Sequence, residues 1–518
     1  MSAASDPVQK ATDAADEAAS DDKQGRRSAR VVLMDIGKRS AEFIRDGAGD
    51  IYAVVKDGGP RRVWPLRSRA FRRHLLRRAM AEMGAPPGSD ALAAALDGLE
   101  ATADTEAERA EVHQRIAHCD GRIFVDLGDD AWRAVEISPA GWRILETPPV
   151  YFVRRQGMRT LPEPARGGDL GELFEHLPAG LDGRSRKLVA GWLIQAFWRG
   201  PYAALLVEGE AGAGKSTLCR RLVRLVDPRK PELKRPPRHE TQIFVQAAHG
   251  HVLAYDNLSG LPVWLSDTLC AVATGGGDER RRLYTDDDVV AADVCRPLLL
   301  NGIDSIASRG DLRDRALRVE LAAIPDVVRR DQTGLDVAFE AALPRLLGAV
   351  FDALAEGLRN HATVRLDRLP RMADAARFVA ACEPTLRPEL HGFVDAVFEL
   401  RDSYASEAVE SDAFAREIVG LMRERDTWNG TAGELLAPLN TRVTEDVRER
   451  KTWPQTPRAA SGRLRRIAGD LRRLAEGAIE VEFVREGHDR RRTISLRAAP
   501  EVGESSSTTS APSAYRPH

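Results

Sequence analysis

The sequence predicts an α/β protein of several domains, whose core is a parallel sheet flanked by helices. Between residues 202 and 325, short apolar runs alternate with helix-like segments, an order that is typical of parallel strands joined by crossover helices. Two of these runs end in a polar residue, Asp256 and Asn301. The chain has 518 residues, which is more than one domain normally holds. Further domains are therefore expected on both sides of the core.

Composition places the chain among soluble globular proteins. Hydrophobic residues make up 43% and charged residues 30%, which excludes global disorder. No apolar run is long enough to span a membrane, and the first 28 residues lack the apolar centre of a secretory signal. The cysteines are scattered, without a C-x-x-C pair, which excludes a disulfide framework and a zinc ribbon. We expect a cytoplasmic protein without membrane contact.

Charge is nearly balanced over the whole chain. The formal net charge is −2, so any nucleic-acid binding must come from local basic patches. The 76 basic residues include only nine lysines. A lysine at a chemically special position therefore stands out against a background of arginine.

Shifts in composition divide the chain into segments, and a proline-rich linker lies at 148–164. The predicted segments are a disordered acidic tail (1–28), an N-terminal α/β module (29–165), the α/β core (168–330), a helical segment (331–410), a small C-terminal domain (411–500) and a disordered polar tail (501–518).

The N-terminal module mixes strand and helix patterns. Residues 30–36 and 50–56 are predicted as strands, 68–83 and 91–118 as helices, and 121–137 as two strands around a turn. No acidic residues in this module have the strand context of a primase active site. We therefore expect it to be non-catalytic.

A phosphate-binding loop is the strongest signal in the sequence. An apolar strand, 203–207, enters a loop of the form G-x-x-x-x-G-K-[ST], and a helix follows. The glycines let backbone N–H groups surround a phosphate, to which the helix N-terminus adds positive charge. Lys215 would contact the β- and γ-phosphates of ATP, and the Ser216 hydroxyl would bind Mg²⁺. The predicted ATP-binding residues are Gly209, Glu210, Ala211, Gly212, Ala213, Gly214, Lys215, Ser216 and Thr217.

A second acidic position follows about 40 residues later. The strand 252–255 ends in Asp256, which fits a Walker-B carboxylate that holds Mg²⁺ together with Ser216. Active ATPases commonly carry a glutamate beside this aspartate, but here Asn257 stands there. Asn257 can position water but is a poor base, which disfavours fast hydrolysis. The alternative is a strand-end aspartate that caps a turn.

The order of these motifs resembles a known family. The P-loop, YDN, TGGGDERRRLY, RPLLLNG and DLRDRAL series is similar to the AAA+ domain of superfamily 3 helicases, in particular the primase-helicases of phages, plasmids and poxvirus-like viruses. It also resembles bacterial mobile-element proteins labelled only as ATP-binding. The resemblance covers residues 170–330 and implies a homo-oligomeric ring, a hexamer, that moves single-stranded or forked DNA through its centre. Whether a separate primase is a partner stays open at this point.

The resemblance also assigns roles to residues after the Walker-B strand. Asn301 would contact the γ-phosphate or its attacking water. Arg315 would be the arginine finger that reaches a neighbouring subunit's γ-phosphate, with Arg309 as the second choice. The family's pore hairpin falls between TGGG and Asn301, where the DNA-binding candidates are Arg280, Arg281, Arg282 and Tyr284. The alternative is a charged surface loop, and the neighbouring Asp286, Asp287 and Asp288 would repel DNA.

The C-terminal domain has a winged helix-turn-helix pattern. Two helices are followed by a basic amphipathic helix over 461–477 and by two strands. Residues 442–497 hold 15 basic and nine acidic side chains, so this domain is basic within a neutral chain. The candidate DNA contacts are Arg463, Arg466, Arg490 and Arg491. The alternative is a winged helix that contacts protein rather than DNA.

Two weaker clusters remain. His113, His118 and Cys119 lie close in sequence, but no distant second half completes a tetrahedral metal site, so we expect structural roles. The basic helix at 69–78 is interpreted either as a nucleic-acid contact or as a solvated face.

The whole pattern predicts an ATP-dependent DNA helicase or translocase that acts in replication of a phage, plasmid or integrated element. One alternative is a nucleotide-gated DNA-binding regulator, which Asn257 and the winged helix favour. A second alternative is a small-molecule P-loop kinase, which the Asn301 strand and the arginine series disfavour.

Overall fold

The computed structural model of the protein describes residues 28–281, 289–303, 306, 310–325, 327, 331–474, 477–486 and 491–498. Apart from Ser28, the two predicted tails lie outside the described residues. The chain divides into two compact units, Met1–Val394 and Asp395–His518. Within the described part of the chain, no helix is both long and apolar enough to cross a bilayer.

The larger unit begins with an α/β module. One sheet has the strand order β3-β2-β1-β4, and another has the order β6-β7-β8-β9. Leu33, Phe71 and Leu99, one from each helix, are buried in the core of the first sheet. The elements are α1 (Ala29–Ser40), β1 (Ala41–Arg45), β2 (Ile51–Val55), β3 (Arg62–Pro65), α2 (Arg69–Met83), α3 (Ser89–Glu106), β4 (Glu108–Arg109), β5 (Val112–His113), β6 (Ile116–Cys119), β7 (Arg122–Asp126), β8 (Ala134–Ser138), β9 (Gly141–Leu145) and β10 (Tyr151–Phe152).

Two local predictions in this module are wrong. Residues 30–36, predicted as a strand, lie in helix α1, because the Ser28 side chain caps it and Leu33 and Ile36 recur at helical spacing on its buried side. The helix predicted over 91–118 ends at Glu106 and gives way to β4, β5 and β6. The segment after Glu106 is held in these strands by pairing with Ile44, Tyr151 and neighbouring residues.

The central part is the predicted parallel α/β core. Its sheet has the order β12-β15-β11-β16, and every neighbouring pair is parallel. Its elements are α4 (Leu173–His176), α5 (Gly183–Gln195), β11 (Ala204–Gly209), α6 (Lys215–Val226), α7 (Glu240–Ala247), β12 (Leu253–Leu258), α8 (Val263–Thr274), β13 (Gly277–Arg281), β14 (Val289–Asp293), β15 (Leu298–Gly302), α9 (Gly310–Arg313) and β16 (Ala316–Leu321). Strands β13 and β14 form an antiparallel pair between α8 and β15.

Helices follow the core and lead into the second unit. They are α10 (Gln332–Asn360), α11 (Ala373–Cys382) and α12 (Phe393–Ser411). The second unit then continues with α13 (Ala413–Arg423), β17 (Thr427–Gly430), α14 (Ala432–Arg442), α15 (Glu445–Glu449), α16 (Pro457–Arg472), β18 (Ile479–Glu486) and β19 (Arg491–Ala498).

The sheet of the second unit has the order β17-β19-β18 and is antiparallel. Thr431 caps α14 in a capping box with Glu434. The segment TWNGT between α13 and α14 contributes strand β17, because it pairs with the C-terminal strand from Thr427↔Arg497 to Gly430↔Ile494. The helices and the β18–β19 hairpin follow one another in the order that the sequence predicts, whereas the short strand β17 was not predicted. The predicted fold class, a parallel α/β core with an N-terminal α/β module and a C-terminal domain of helices and strands, is confirmed.

Candidate nucleotide site

The glycine-rich loop joins the end of β11 to the start of α6. Gly212 and Gly214 have φ angles of +81° and +90°, a region where glycine avoids the steric cost that other residues carry. Helix α6 therefore begins at Lys215 directly after a left-handed residue. Its first N–H groups face the loop without intrahelical partners, as a phosphate site requires.

Lys215 folds back over the loop. Its Nζ donates to the carbonyl oxygens of Gly209, at 2.6 Å, and Glu210, at 2.7 Å. The ammonium group is thus held at the loop by neutral acceptors. A phosphate oxygen, which carries charge, would be a stronger acceptor than either carbonyl.

Ser216 and Asp256 meet across the sheet. The Ser216 hydroxyl donates to Oδ1 of Asp256 at 2.9 Å, although β11 and β12 are separated by β15. The contact forms because parallel strands end at the same edge of a sheet, where α6 also begins. A hydroxyl and a carboxylate are hard oxygen ligands, so this pair fits Mg²⁺.

Asn301 lies between them on β15 and is 1% exposed. Its Oδ1 accepts a hydrogen bond from the backbone N–H of Asn257 at 3.1 Å, and its Nδ2 lies 3.5 Å from Sγ of Cys219. Asn257 itself has a φ angle of +61°. Three of the polar residues predicted from the sequence, Asp256, Asn257 and Asn301, are therefore together at one edge of the sheet.

Glu208 is a residue that the sequence analysis missed. It is buried on β11, accepts a hydrogen bond from the backbone N–H of Ile306 at 2.7 Å, and lies 4.0 Å from the guanidinium of Arg318 on β16. Glu208 thereby fixes the segment after Asn301 to the strand that precedes the loop. A glutamate inside an otherwise apolar strand was the signal available in the sequence.

A cavity of about 730 Å³ opens beside the loop, and the sequence analysis did not predict its walls. Arg221, one turn beyond Thr217, is 97% covered; its guanidinium lies 5.3 Å from the ring of Phe339 and 3.7 Å from Asp336. Burial lowers the pKa of Arg221, and burial followed by the charge of Arg221 lowers the pKa of His176. The cavity is lined by the loop and by residues that include Phe174, His176, Pro178, Ile324 and Leu335.

The predicted arginine finger lies on a short turn before β16. Nη1 of Arg315 is hydrogen-bonded to the carboxylate of Asp311. Arg371 also reaches Asp311, at 3.4 Å. The carboxylate would therefore keep a cationic partner if Arg315 moved away. Arg309, the second choice, lies outside the described residues.

The predicted DNA contacts are distributed between the units. Backbone atoms place Arg280 and Arg281 on β13, whereas Arg282 and Tyr284 lie outside the described residues, as does Arg490. Arg491 is the first residue of β19. In the second unit, Arg466 is exposed, but Nη2 of Arg463 forms an ion pair with Asp412 at 2.9 Å.

A groove of about 920 Å³ in the second unit adds basic residues that were not among the four candidate DNA contacts of this domain. It runs between the starts of α14 and α16 and the β18–β19 hairpin. Its walls include Arg458, Arg465 and Arg492, and the guanidinium of Arg465 lies 3.9 Å from the ring centre of Phe483. Among the residues that the structure describes, no three His, Cys, Asp or Glu side chains are grouped to hold a metal ion.

The chain is similar to several solved structures at low sequence identity. It is similar to the Cch active helicase of SCCmec type IV, with 12% identity and a TM-score of 0.41 over 83% of this chain and 88% of that one. It is similar to the C-terminal region of NrS-1, with 10% identity and a TM-score of 0.37 over 92% and 100%. A full-length MCM homologue from Methanopyrus kandleri has 16% identity and a TM-score of 0.26 over 65% and 94%. No match to a curated protein was found.

Two family models match the sequence in order. Residues 179–390 match the actinomycete integrative conjugative element replication protein, and residues 414–511 match the C-terminal domain of the RepA protein of these elements. The first match contains the glycine-rich loop, Asp256 and Asn301, and the second contains helices α14 to α16 and strands β17 to β19 of the smaller unit. Over these two consecutive segments, which together make up more than half of its residues, the chain is similar to the replication proteins of actinomycete integrative conjugative elements.

Proposed function

We propose that this chain is an ATP-hydrolysing motor of the helicase or translocase type, which acts on DNA when its element replicates. The observation that carries the proposal is the meeting of Ser216 with Asp256 and of Asn301 with Asn257 at one edge of the parallel sheet, next to Lys215. These are the groups that bind a nucleoside triphosphate, hold its metal ion and position a water molecule.

Each residue has a distinct task in this proposal. The loop amides bind the phosphates, and Lys215 exchanges its two carbonyl partners for the β- and γ-phosphates. Ser216 and Asp256 hold Mg²⁺, which neutralises charge on the phosphates when it is bound. Asn301 and Asn257 orient the attacking water.

The cavity next to the loop supports a nucleoside as the bound ligand. Its volume of about 730 Å³ lies in the range of small-molecule pockets. Its walls include apolar residues, Pro178, Ile324 and Leu335, against which a base can pack. The base would therefore lie against these apolar residues and the phosphates would lie at the loop, with the ribose between the base and the phosphates.

DNA as the partner is supported by the replication-protein family and by the basic groove of the second unit. Arg458, Arg465 and Arg492 line that groove, and Phe483 offers a ring for stacking. In a homo-oligomeric ring, Arg315 would leave Asp311 and reach the nucleotide of a neighbouring subunit, while Arg371 keeps Asp311 paired.

The test is steady-state ATP hydrolysis with and without single-stranded and forked DNA. We expect DNA to raise the rate, and we expect Lys215→Ala and Arg315→Ala to reduce it to background. Arg220→Ala is the matched control, because Arg220 lies on the same helix as Lys215 but is exposed. Its ion pair with Glu232 is long, at 3.9 Å, so its loss should have little effect. Wild-type turnover that stays at the level of Lys215→Ala on every DNA would sink the motor proposal.

A second candidate is a nucleotide-gated DNA-binding regulator that hydrolyses ATP slowly. The observation that favours it is Asn257, an amide in the place where a catalytic glutamate is common. For this regulator, ATP would change DNA affinity while turnover stays at background. Measuring both turnover and DNA affinity with and without ATP in the wild type, with Lys215→Ala as the control, separates the two candidates.

A further inference from the structure

Helix α2 (Arg69–Met83) of the N-terminal module has two very different faces. Phe71, His74, Leu75 and Ala79 are buried against the module. On the opposite side, Arg69, Arg72, Arg73 and Arg77 are all exposed. The helix therefore presents a cationic surface, which we call the arginine face and define by these four residues.

Four other surface arginines of this module have acidic partners. Arg39 pairs with Glu82 at 2.9 Å, Arg45 with Asp104 at 2.9 Å, Arg67 with Asp97 at 2.8 Å and Arg78 with Asp57 at 3.3 Å. Within the described part of the chain, no carboxylate lies within ion-pair distance of the four residues of the arginine face. Their charge is thus uncompensated in a chain whose net charge is −2.

The spacing of the arginine face suits a nucleic-acid backbone. Arg69, Arg73 and Arg77 follow one another at intervals of four residues, so they lie about 6 Å apart along the helix axis. Phosphates of one DNA strand are spaced about 3.4 Å along the duplex axis, so the three successive arginines match the spacing of alternate phosphates. A guanidinium group also matches the oxygens of a phosphate with two parallel hydrogen bonds.

We propose that the arginine face is a DNA-binding surface that holds the sugar-phosphate backbone without reading its sequence and without needing ATP. DNA as the partner rests on the proposed function, but the site is separate from the nucleotide cavity. It would keep the N-terminal module on the DNA through the part of the ATP cycle in which the motor has released its grip.

The test measures the affinity of the full chain for a short labelled DNA duplex, without nucleotide, over a series of salt concentrations. The test variant carries Arg69→Gln, Arg72→Gln, Arg73→Gln and Arg77→Gln. The control carries Arg39→Gln, Arg45→Gln, Arg67→Gln and Arg78→Gln, which removes the same charge from arginines that have acidic partners. Glutamine is a good helix former, so we expect α2 to persist in the test variant. A thermal melting curve of that variant checks this.

We expect the test variant to bind DNA at least about tenfold more weakly near 0.1 M salt, with a salt slope shallower by about 0.9 for each arginine that contacts a phosphate. The control should keep most of the wild-type affinity and slope. Equal losses in both variants, or an unchanged slope in the test variant, would overturn the proposal and leave an acidic protein as the partner to consider. Lys215→Ala should bind the duplex as the wild type does, so failure of the motor proposal would not be mistaken for failure of this one.

Discussion

The side-chain oxygen of Asn301 accepts a hydrogen bond from the backbone N–H of Asn257 at 3.1 Å. Because the two residues lie at the ends of adjacent parallel strands, β15 and β12, this bond fixes the residue that follows Asp256 relative to the neighbouring strand. A change at Asn301 would thereby be transmitted to the carboxylate that contacts Ser216.

Replacing Asn301 with alanine should therefore separate hydrolysis from binding. The Asn257 N–H would lose its acceptor, so the backbone beside Asp256 would no longer be fixed to β15. We expect the ATP dissociation constant to change by less than about threefold and the turnover rate to fall by more than about tenfold, corresponding to about 1.4 kcal/mol. Titration calorimetry and steady-state kinetics measure the two quantities. Parallel loss of both would show that Asn301 only supports the fold.

Introducing the missing glutamate at Asn257 should not restore fast hydrolysis. Asn257 has a φ angle of +61°, a region that asparagine tolerates better than most residues and that costs others about 1–2 kcal/mol. Asn257→Glu is therefore expected to lower the melting temperature without raising turnover, whereas Asn257→Gly should keep the backbone and the stability. A faster Asn257→Glu enzyme would show that the backbone can carry a base here.

Much of the site was predictable from the sequence because its signals are local. The loop needs a fixed run of glycines and one lysine, and Asp256 and Asn301 each end an apolar strand, so their meeting at one edge follows from parallel pairing. Glu208 stands out as a glutamate in an apolar strand, but the contacts that Glu208 and Arg221 make were not predictable, because their partners Ile306 and Phe339 lie far along the chain.

The errors in the predicted secondary structure also arise where contacts between sequence-distant residues decide the conformation. Residues 30–36 have apolar, β-branched side chains that favour a strand, but a Ser28 cap and burial against α3 make them helical. The segment after Glu106 has helical composition, yet it pairs with strands β1 and β10. In both places, contacts with distant residues outweigh the local preference.

The buried ion pair between Arg115 and Asp227 should be a major contributor to stability. Arg115 is 1% exposed, and its Nε lies 3.2 Å from the carboxylate of Asp227, so the pair joins the N-terminal module to the parallel α/β core. Asp227→Ala leaves a buried guanidinium without its charged partner, and we expect a loss of about 3–5 kcal/mol. Asp104→Ala, which breaks the exposed pair with Arg45, should cost less than about 1 kcal/mol. Urea unfolding compares them, and similar costs would contradict this ranking.

His251 should make stability depend on pH between about pH 4 and 6.5. The ring is 5% exposed, its Nε2 donates to the carbonyl oxygen of Ala196 at 2.7 Å, and burial lowers its pKa from 6.5 to about 4. In this window the unfolded chain binds the proton more readily than the folded chain does, so the free energy of unfolding rises with pH. The stabilising contribution of the neutral His251 ring is complete above about pH 6.5. The expected gain is about 3 kcal/mol. The His251→Gln variant should lose this part of the pH dependence, whereas His249→Gln, at an exposed histidine two residues earlier, should keep it. Unfolding curves at a series of pH values measure the difference, and identical profiles for wild type and His251→Gln would show that another group controls the slope.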